Sequence, residues 1–241
     1  MSRLVLWLAV WAPLVVFSQT RNRALEKLSL GISVEVNYGQ RLLRQDPSPG
    51  YAPNRPEMAG VGKIGGVVGI NLGYALTPKL TVGTGLLFSD RGYATNKTEL
   101  VWASPDATYP THSRTTFSYY FVDIPIYAIY RFSVAGLGMY VTGGPSVGNL
   151  VYQRTAVITY FGNNREKAVS KKLGDGYMNS IFSFHAGFGV GVPVSDRFRV
   201  GIEPLYRRTL TSFSHHHESR RYFHSFGLNT RLSMKFKKNK L

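Results

Sequence analysis

Cysteine is absent from this chain of 241 residues. A chain without cysteine has no disulfide framework and no thiol nucleophile, and it cannot be attached to lipid through an N-terminal cysteine. Acidic residues are also scarce: 13 Asp and Glu stand against 29 Lys and Arg, which gives a formal charge of +16. A protein this basic is expected to meet nucleic acid, anionic lipid or polyanionic sugar, and its location decides among them.

Long apolar runs are missing too, except at the N-terminus. Residues 1–18 place Arg3 before an apolar run at 4–17. That run is shorter than the roughly 18 residues of a spanning helix, and Pro13 interrupts it. We therefore predict a secretory signal peptide over 1–18, cleaved before Gln19, rather than a membrane anchor. An exported protein does not meet nucleic acid, so acidic lipid headgroups or surface polysaccharide become the expected neighbours.

The clearest regular pattern lies at 119–132, YYFVDIPIYAIYRF. Every second residue from Tyr120 to Phe132 is apolar, whereas the other row carries Asp123 and Arg131. Because successive side chains of a strand point to opposite faces, one face is wholly apolar and the other carries an acid and a base. A soluble barrel buries such an apolar row, and a membrane barrel turns it towards lipid. This segment alone leaves both interpretations open.

The same alternation recurs along the chain and decides between them. The connections between the alternating segments are long and short in turn, which is the layout of an all-β, eight-stranded, antiparallel up-and-down transmembrane barrel of the outer-membrane type. The predicted strands are 28–38, 66–76, 80–93, 119–132, 137–150, 181–194, 198–210 and 222–236. The predicted long loops are 39–64, 94–114, 152–179 and 211–221.

An even number of strands leaves both termini on one side of the membrane, and we predict that this side is the periplasm. Residues 19–27 then form a short periplasmic lead, 28–236 the barrel and 237–241 a basic periplasmic tail. Apart from the signal, no apolar run is long enough for a spanning helix.

The predicted inward rows carry acids beside bases. An eight-stranded barrel is about filled by its own side chains, so no porin-sized channel is expected. We interpret these charges as ion pairs that brace the lumen, because an unpaired buried charge costs several kcal/mol; a proton or ion path is the alternative. The set is Glu35, Asp123, Arg131, Arg199, Glu203, Arg207 and Arg231, with Arg91 and Lys235 on the same rows.

Aromatic residues recur near the ends of the outward rows. They are predicted to form interfacial girdles, although ordinary strand propensity also favours them. The set is Tyr38, Tyr74, Phe88, Tyr120, Tyr130, Phe132, Phe198, Tyr222 and Phe236.

Basic residues cluster in the predicted external loops. Their side chains can hold lipopolysaccharide phosphates through charge-assisted hydrogen bonds. The set is Arg165, Lys167, Lys171, Lys172, Arg220 and Arg221.

Two further kinds of chemistry find little support. His215, His216 and His217, in a predicted external loop, are weak candidates for zinc, copper or nickel, because adjacent positions rarely converge on one ion. His224 and Ser225 are neighbours on one strand, so they point to opposite faces and cannot form a catalytic pair. We therefore predict no enzyme activity, no cofactor and no functional metal site.

Four segments resemble the PorT-like outer-membrane β-barrel family common in Bacteroidetes. Residues 74–93, YALTPKLTVGTGLLFSDRGY, resemble its strand, tight turn and strand, and 119–132 its Ile-Pro strand. GGPSVGNL at 143–150 is similar to its glycine-proline strand, and GIEPLYRRTLTSF at 201–213 to its seventh strand. The resemblance implies an outer-membrane barrel inserted by the barrel-assembly machinery. Some members of that family serve type IX secretion and gliding.

Pattern and resemblance together predict an integral outer-membrane barrel with a structural or interaction role at the cell surface. The alternatives are an accessory part of a type IX secretion or gliding machine, then a narrow channel or a lipid-modifying enzyme. The expected partners are outer-membrane lipid and lipopolysaccharide, the assembly machinery during insertion, and a secretion-system or surface protein.

Overall fold

The computed structural model describes residues 26–45, 60–104, 106, 108–162, 164–172, 179–213 and 219–236. The predicted signal peptide, the basic tail and the histidine tract His215 to His217 lie outside these residues. No helix within them is long and apolar enough to cross a bilayer. The described strands are β1 (Leu28–Gln45), β2 (Gly60–Val61), β3 (Lys63–Ala75), β4 (Leu80–Thr95), β5 (Thr98–Glu99), β6 (His112–Val134), β7 (Leu137–Phe161), β8 (Asn164–Lys172), β9 (Ser180–Pro193), β10 (Phe198–Thr209) and β11 (Ser219–Lys235).

Eight of these strands close into a ring. The strands β1, β3, β4, β6, β7, β9, β10 and β11 pair in that order, each antiparallel to the next. β11 then pairs with β1 from Ser29↔Lys235 to Gln45↔Ser219, so the sheet has no open edge along the barrel. The predicted eight-stranded up-and-down barrel is confirmed.

The outer surface of the barrel is apolar, and its interior contains buried polar and charged side chains. On β1, Ile32 and Val36 are 53% and 61% exposed, whereas Glu35 between them is buried. Ile124 of β6 and Phe188 of β9 are 43% and 57% exposed. Apolar residues would normally be buried in a water-soluble barrel, so this outward apolar surface suits hydrocarbon rather than water.

The two ends of the barrel differ in their connections. The short turns 76–79, 135–136 and 194–197 lie at one end, where Phe236 N also donates a hydrogen bond to Leu28 O near the two limits of the described barrel. The longer connections lie at the opposite end. We refer to these as the turn end and the loop end.

The prediction of a long loop over 152–179 is wrong. β7 continues to Phe161, and β8 returns alongside it from Phe161↔Asn164 to Gln153↔Lys172. Residues 152–161, YQRTAVITYF, are rich in aromatic and β-branched side chains, which favour strand. The Lys, Asn and Gly residues of the rest of this segment masked that signal.

The other predicted loops are shorter than expected. β1 runs on to Gln45 and β11 begins at Ser219, so strand structure enters the predicted loops 39–64 and 211–221. The segment 94–114 contains β5 and the start of β6. In each case strand structure continues past the predicted strand end, because pairing with a neighbouring strand keeps the backbone groups hydrogen-bonded.

A sheet projects beyond the barrel at the loop end. β6 has 23 residues and β7 has 25, about twice the 9 to 11 that a tilted strand needs to cross a bilayer. We define the arm as residues 112–118, 152–161 and 164–172. β6 pairs with β7 and β7 pairs with β8 along its whole length.

Candidate functional site

The middle of the lumen contains two ion pairs. Arg91 Nη2 lies 2.7 Å from both carboxylate oxygens of Asp123, and Arg91 Nη1 donates to Ser183 Oγ at 2.9 Å. Arg207 Nη2 donates to Glu35 Oε2 at 2.9 Å. The four charged side chains are almost fully buried. Arg91 to Ser183 joins β4 to β9, and Arg207 to Glu35 joins β10 to β1, so the contacts link strands that are not sheet neighbours.

Neutral side chains complete the hydrogen bonding of these carboxylates. Ser89 Oγ donates to Asp123 Oδ2 at 2.6 Å, and Asn37 Nδ2 donates to Glu35 Oε1 at 2.9 Å. Both donors lie on inward rows, and the sequence prediction did not single them out. The sequence signal that could have identified these two donors is that each alternates with a charged residue on its inward row. Together with the ion pairs they form what we call the ion-pair layer.

A third carboxylate lies nearer the turn end. Glu203 Oε1 accepts hydrogen bonds from Asn229 Nδ2 at 2.6 Å and from Arg231 Nη2 at 3.2 Å. Two cavities between this group and the loop end measure about 10 and 20 Å³, close to the minimum that holds one water molecule. Side chains therefore fill the middle of the lumen.

Aromatic side chains fill the lumen at the loop end. Phe213 stacks on Phe223 with ring centres 4.0 Å apart, and Tyr119 lies 5.2 and 5.3 Å from these two rings. We call this cluster the plug, and all its members are at most 4% exposed. Its members are Tyr93, Tyr119, Phe121, Ile181, Phe213 and Phe223. Sequence analysis missed the plug, although Tyr119 and Phe121 precede Asp123 on one inward row.

The turn end of the lumen opens into a cavity of about 540 Å³. We call it the basic cup, after four side chains that line it: Arg131, Arg199, Arg231 and Lys235. Arg131 Nη1 donates to Thr81 Oγ1 at 2.7 Å, and the Arg231 guanidinium lies 5.1 Å from the ring centre of Tyr127. Within the described chain, Arg131, Arg199 and Lys235 form no ion pair.

Charges at the mouth of the basic cup balance each other. Glu26 and Asp196 line this rim together with Lys27 and Arg197, and all four are exposed. The unbalanced positive charge therefore comes from Arg131 and Arg199, which are half-buried, and from Lys235, which is exposed at the end of β11.

The outer face of the arm concentrates positive charge. Residues paired across neighbouring strands point to the same face, and this face continues the lipid-facing row of Ile124 on β6. Its cations are Arg114, Arg154, Arg165, Lys167 and Lys171. Acidic side chains are fewer on this face: Glu99 pairs with His112 at its tip, and Asp90 pairs with Tyr120 at its base, whereas Glu166 points to the opposite face. A groove of about 200 Å³ on the face is lined by Arg154 and Lys167, among others.

An aromatic stack lies where the arm joins the barrel wall. The ring centres of Phe88 and Tyr120 are 5.7 Å apart, and those of Tyr120 and Tyr152 are 4.3 Å apart. The cations of the outer face begin beyond this stack with Arg154, two residues after Tyr152. Going outwards along the wall, the surface is thus apolar, then aromatic, then basic.

The predicted girdle residues lie on the outer wall in two groups, and all are half-buried or exposed. The group towards the turn end is Tyr74, Tyr130, Phe132, Phe198 and Phe236. The group towards the loop end is Tyr38, Phe88, Tyr120 and Tyr222.

The remaining predicted basic and metal-binding residues do not join the arm's outer face. Lys172 lies opposite Gln153 on the other face of β8, and Arg220 pairs with Arg44 on the barrel. In the part of the chain that the structure describes, no three metal-ligating side chains are grouped. The histidine tract lies outside that part.

The sequence profile of the family described as "Outer membrane protein beta-barrel domain" matches residues 17–214. Among solved structures, the chain is similar to Neisserial surface protein A (12% identity, TM-score 0.45, covering 87% of this chain and 97% of that chain). It is also similar to the outer membrane protease OmpT from Escherichia coli (10% identity, TM-score 0.42, 88% and 97%). The outer membrane protein OprG from Pseudomonas aeruginosa is a further likeness (9% identity, TM-score 0.40, 88% and 97%). A comparison with curated protein sequences gave no match.

Proposed function

The chain belongs to the outer membrane protein beta-barrel domain family, and from that premise we propose that it binds lipopolysaccharide at the cell surface. In this proposal the loop end faces outwards, and the turn end faces the periplasm with both termini. Insertion by the barrel-assembly machinery is part of the same proposal. The arrangement of short turns at one end and long connections at the other supports the orientation.

The observation that carries the proposal is the position of the cations on the arm. They lie on the face that continues the lipid-facing wall, just beyond the aromatic stack of Phe88, Tyr120 and Tyr152. Aromatic rings prefer the level of the headgroups, and cations beyond them meet phosphate.

The proposal predicts the strength and salt dependence of binding. Each Lys or Arg near an anionic membrane surface contributes about 1 kcal/mol. The triple replacement of Arg165, Lys167 and Lys171 by Gln should therefore cost about 3 kcal/mol, on the order of a hundredfold in affinity. Titration calorimetry of purified lipopolysaccharide into the detergent-solubilised protein measures this loss. Binding by the unchanged protein should also weaken as salt screens the charges.

Two adjacent lysines provide a matched control. Lys171 pairs with Arg154 on the outer face, and Lys172 pairs with Gln153 on the opposite face. Lys171→Gln should weaken lipopolysaccharide binding about fivefold, and Lys172→Gln less than twofold. Equal losses in the two variants would mean that net charge, and not the outer face, governs binding, and the proposal would fail.

The filled lumen supports binding rather than transport through the barrel. Along the described lumen between the plug and the basic cup lie two cavities of about 10 and 20 Å³. We therefore do not propose a channel.

A second candidate function is an accessory role in a type IX secretion or gliding machine. The resemblance of four segments to the PorT-like family supports it, as does the edge of β8, which pairs only with β7 among the described strands. Lysines along that edge discourage strand addition by another protein, which is why we place this candidate second. Co-purification of a secretion component with the unchanged protein, lost on replacing Ala168 with Pro, would support it.

A further inference from the structure

We infer that the basic cup is a binding site for a small, water-soluble molecule that carries phosphate groups. The site lies at the opposite end of the barrel from the arm. It does not depend on lipopolysaccharide binding, so either proposal can fail without the other.

The distribution of charge along the lumen is the first support. Between the plug and the turn end, the carboxylates of Asp123, Glu35 and Glu203 each contact an arginine. The cations that these pairs leave over are Arg131, Arg199 and Lys235, and all three line the same cavity. Among the described residues, these three cations are thus gathered around one cavity.

These cations act on each other. The charges of Arg199 and Arg231 both act on Arg131, and those of Arg199 and Arg131 act on Lys235. The strand register fixes the backbone positions of two of these residues, since Arg199 lies opposite Ser233 and Arg231 lies opposite Gly201. Strands of a closed barrel cannot move apart to relieve the repulsion, so an anion that enters the cavity gains attraction from several cations at once.

The floor of the cup is built from two tyrosine rings that lie against glycines. A Cβ at Gly201 would come within 2.5 Å of Tyr140 Oη, and one at Gly83 within 2.5 Å of Tyr127 Oη. Larger residues at these glycines would displace the rings. The glycines therefore leave room for the two rings, which line the cavity together with Arg231.

The chemistry of the walls favours phosphate. Guanidinium groups present paired donors that match phosphate oxygens, and Arg131 and Arg199 supply two of them. Ser29 and Ser233 also line the cavity, and their hydroxyl groups donate to Gly73 O at 3.4 Å and to Arg199 O at 3.3 Å. A volume of about 540 Å³ lies within the range of small-molecule sites.

The position of the cup favours a soluble molecule over a lipid headgroup. The cavity lies inside the ring of strands, so the barrel wall separates it from the hydrocarbon that faces Ile32 and Phe188. Its mouth is at the turn end, and the plug closes the other end of the lumen. A ligand therefore enters and leaves through the same aqueous mouth, as in a binding site rather than a channel.

Titration calorimetry with pyrophosphate tests the inference on the detergent-solubilised protein. The unchanged protein should bind one equivalent, more weakly as salt is raised. Arg199→Gln and Lys235→Gln should each reduce the affinity at least tenfold. The matched control is Arg208→Gln, since Arg208 lies on the same strand as Arg199 but points outwards and is exposed. The pyrophosphate affinity of this variant should stay within twofold of that of the unchanged protein. Circular dichroism verifies that each variant is folded.

Two results would overturn the inference. One is the absence of saturable pyrophosphate binding, and the other is an equal loss in the Arg199 and Arg208 variants. A repeat in nanodiscs separates the two sources of phosphate. If adding phosphatidylglycerol to a zwitterionic bilayer displaces pyrophosphate, the occupant is a lipid headgroup and the soluble ligand is refuted. Unchanged pyrophosphate affinity in both bilayers supports the soluble ligand.

Discussion

Arginine faces inwards both in the ion-pair layer and in the basic cup, but its surroundings differ. Arg91 and Arg207 are almost fully buried, and each contacts a carboxylate. Arg199 lines an open cavity and has no ion pair within the described residues. Because an isolated buried charge costs several kcal/mol whereas a hydrated one costs little, the first two arginines depend on their carboxylates and the third is available to a ligand. Burial, more than residue type, separates the two roles.

The largest effect is expected for Asp123→Asn, which leaves the buried Arg91 guanidinium without its counter-charge. Breaking a buried ion pair on one side costs about 3 to 5 kcal/mol. Urea unfolding of the protein in detergent should therefore show a strongly lowered midpoint. The control is Glu166→Gln on exposed β8, which should change the free energy of unfolding by less than about 0.5 kcal/mol. Equal free energies of unfolding for the two variants would show that Asp123 does not stabilise the barrel.

A smaller loss is expected for Glu203→Gln, at the boundary between layer and cup. Glu203 is fully buried, but Arg231 beside it reaches the cavity, and its side chain is 14% exposed. Water can therefore replace part of the lost interaction, and we expect a loss of about 1 to 3 kcal/mol. Lys171→Gln, on the surface, should leave the urea midpoint unchanged. If Glu203→Gln cost as much as Asp123→Asn, the boundary between the two regions would be wrongly placed.

The sequence predicted which residues point inwards, but not which of them meet. Alternation on β1 and β6 is a local property, and it put Glu35 and Asp123 on inward rows. Arg91 and Ser183 meet across the lumen from β4 and β9, and the stagger of the closed barrel sets that contact. No local pattern encodes the stagger. For the same reason Arg131 was grouped with the ion pairs, whereas the structure places it in the cup.

The arm shows a second limit of sequence reasoning. Residues 152–161 have strong strand propensity, yet a strand beyond the barrel is stable only because β6 and β8 pair with both of its edges. Whether such partners exist is a tertiary property. The cations of 164–172 were visible in the sequence, but their division between two faces followed only from the register of β8.

The smallest effect, and the one with the opposite sign, is expected for Arg199→Gln. Removing a cation that repels Arg131 and Lys235 should leave the free energy of unfolding unchanged or raise it, by no more than about 0.5 kcal/mol at low salt. Any gain should disappear near 1 M salt, where the screening length falls to about 3 Å. Urea titrations of both proteins at low and high salt measure the difference. A loss comparable to that of Glu203→Gln would show that Arg199 has a structural role, and the distinction between a bracing layer and a binding cup would not hold.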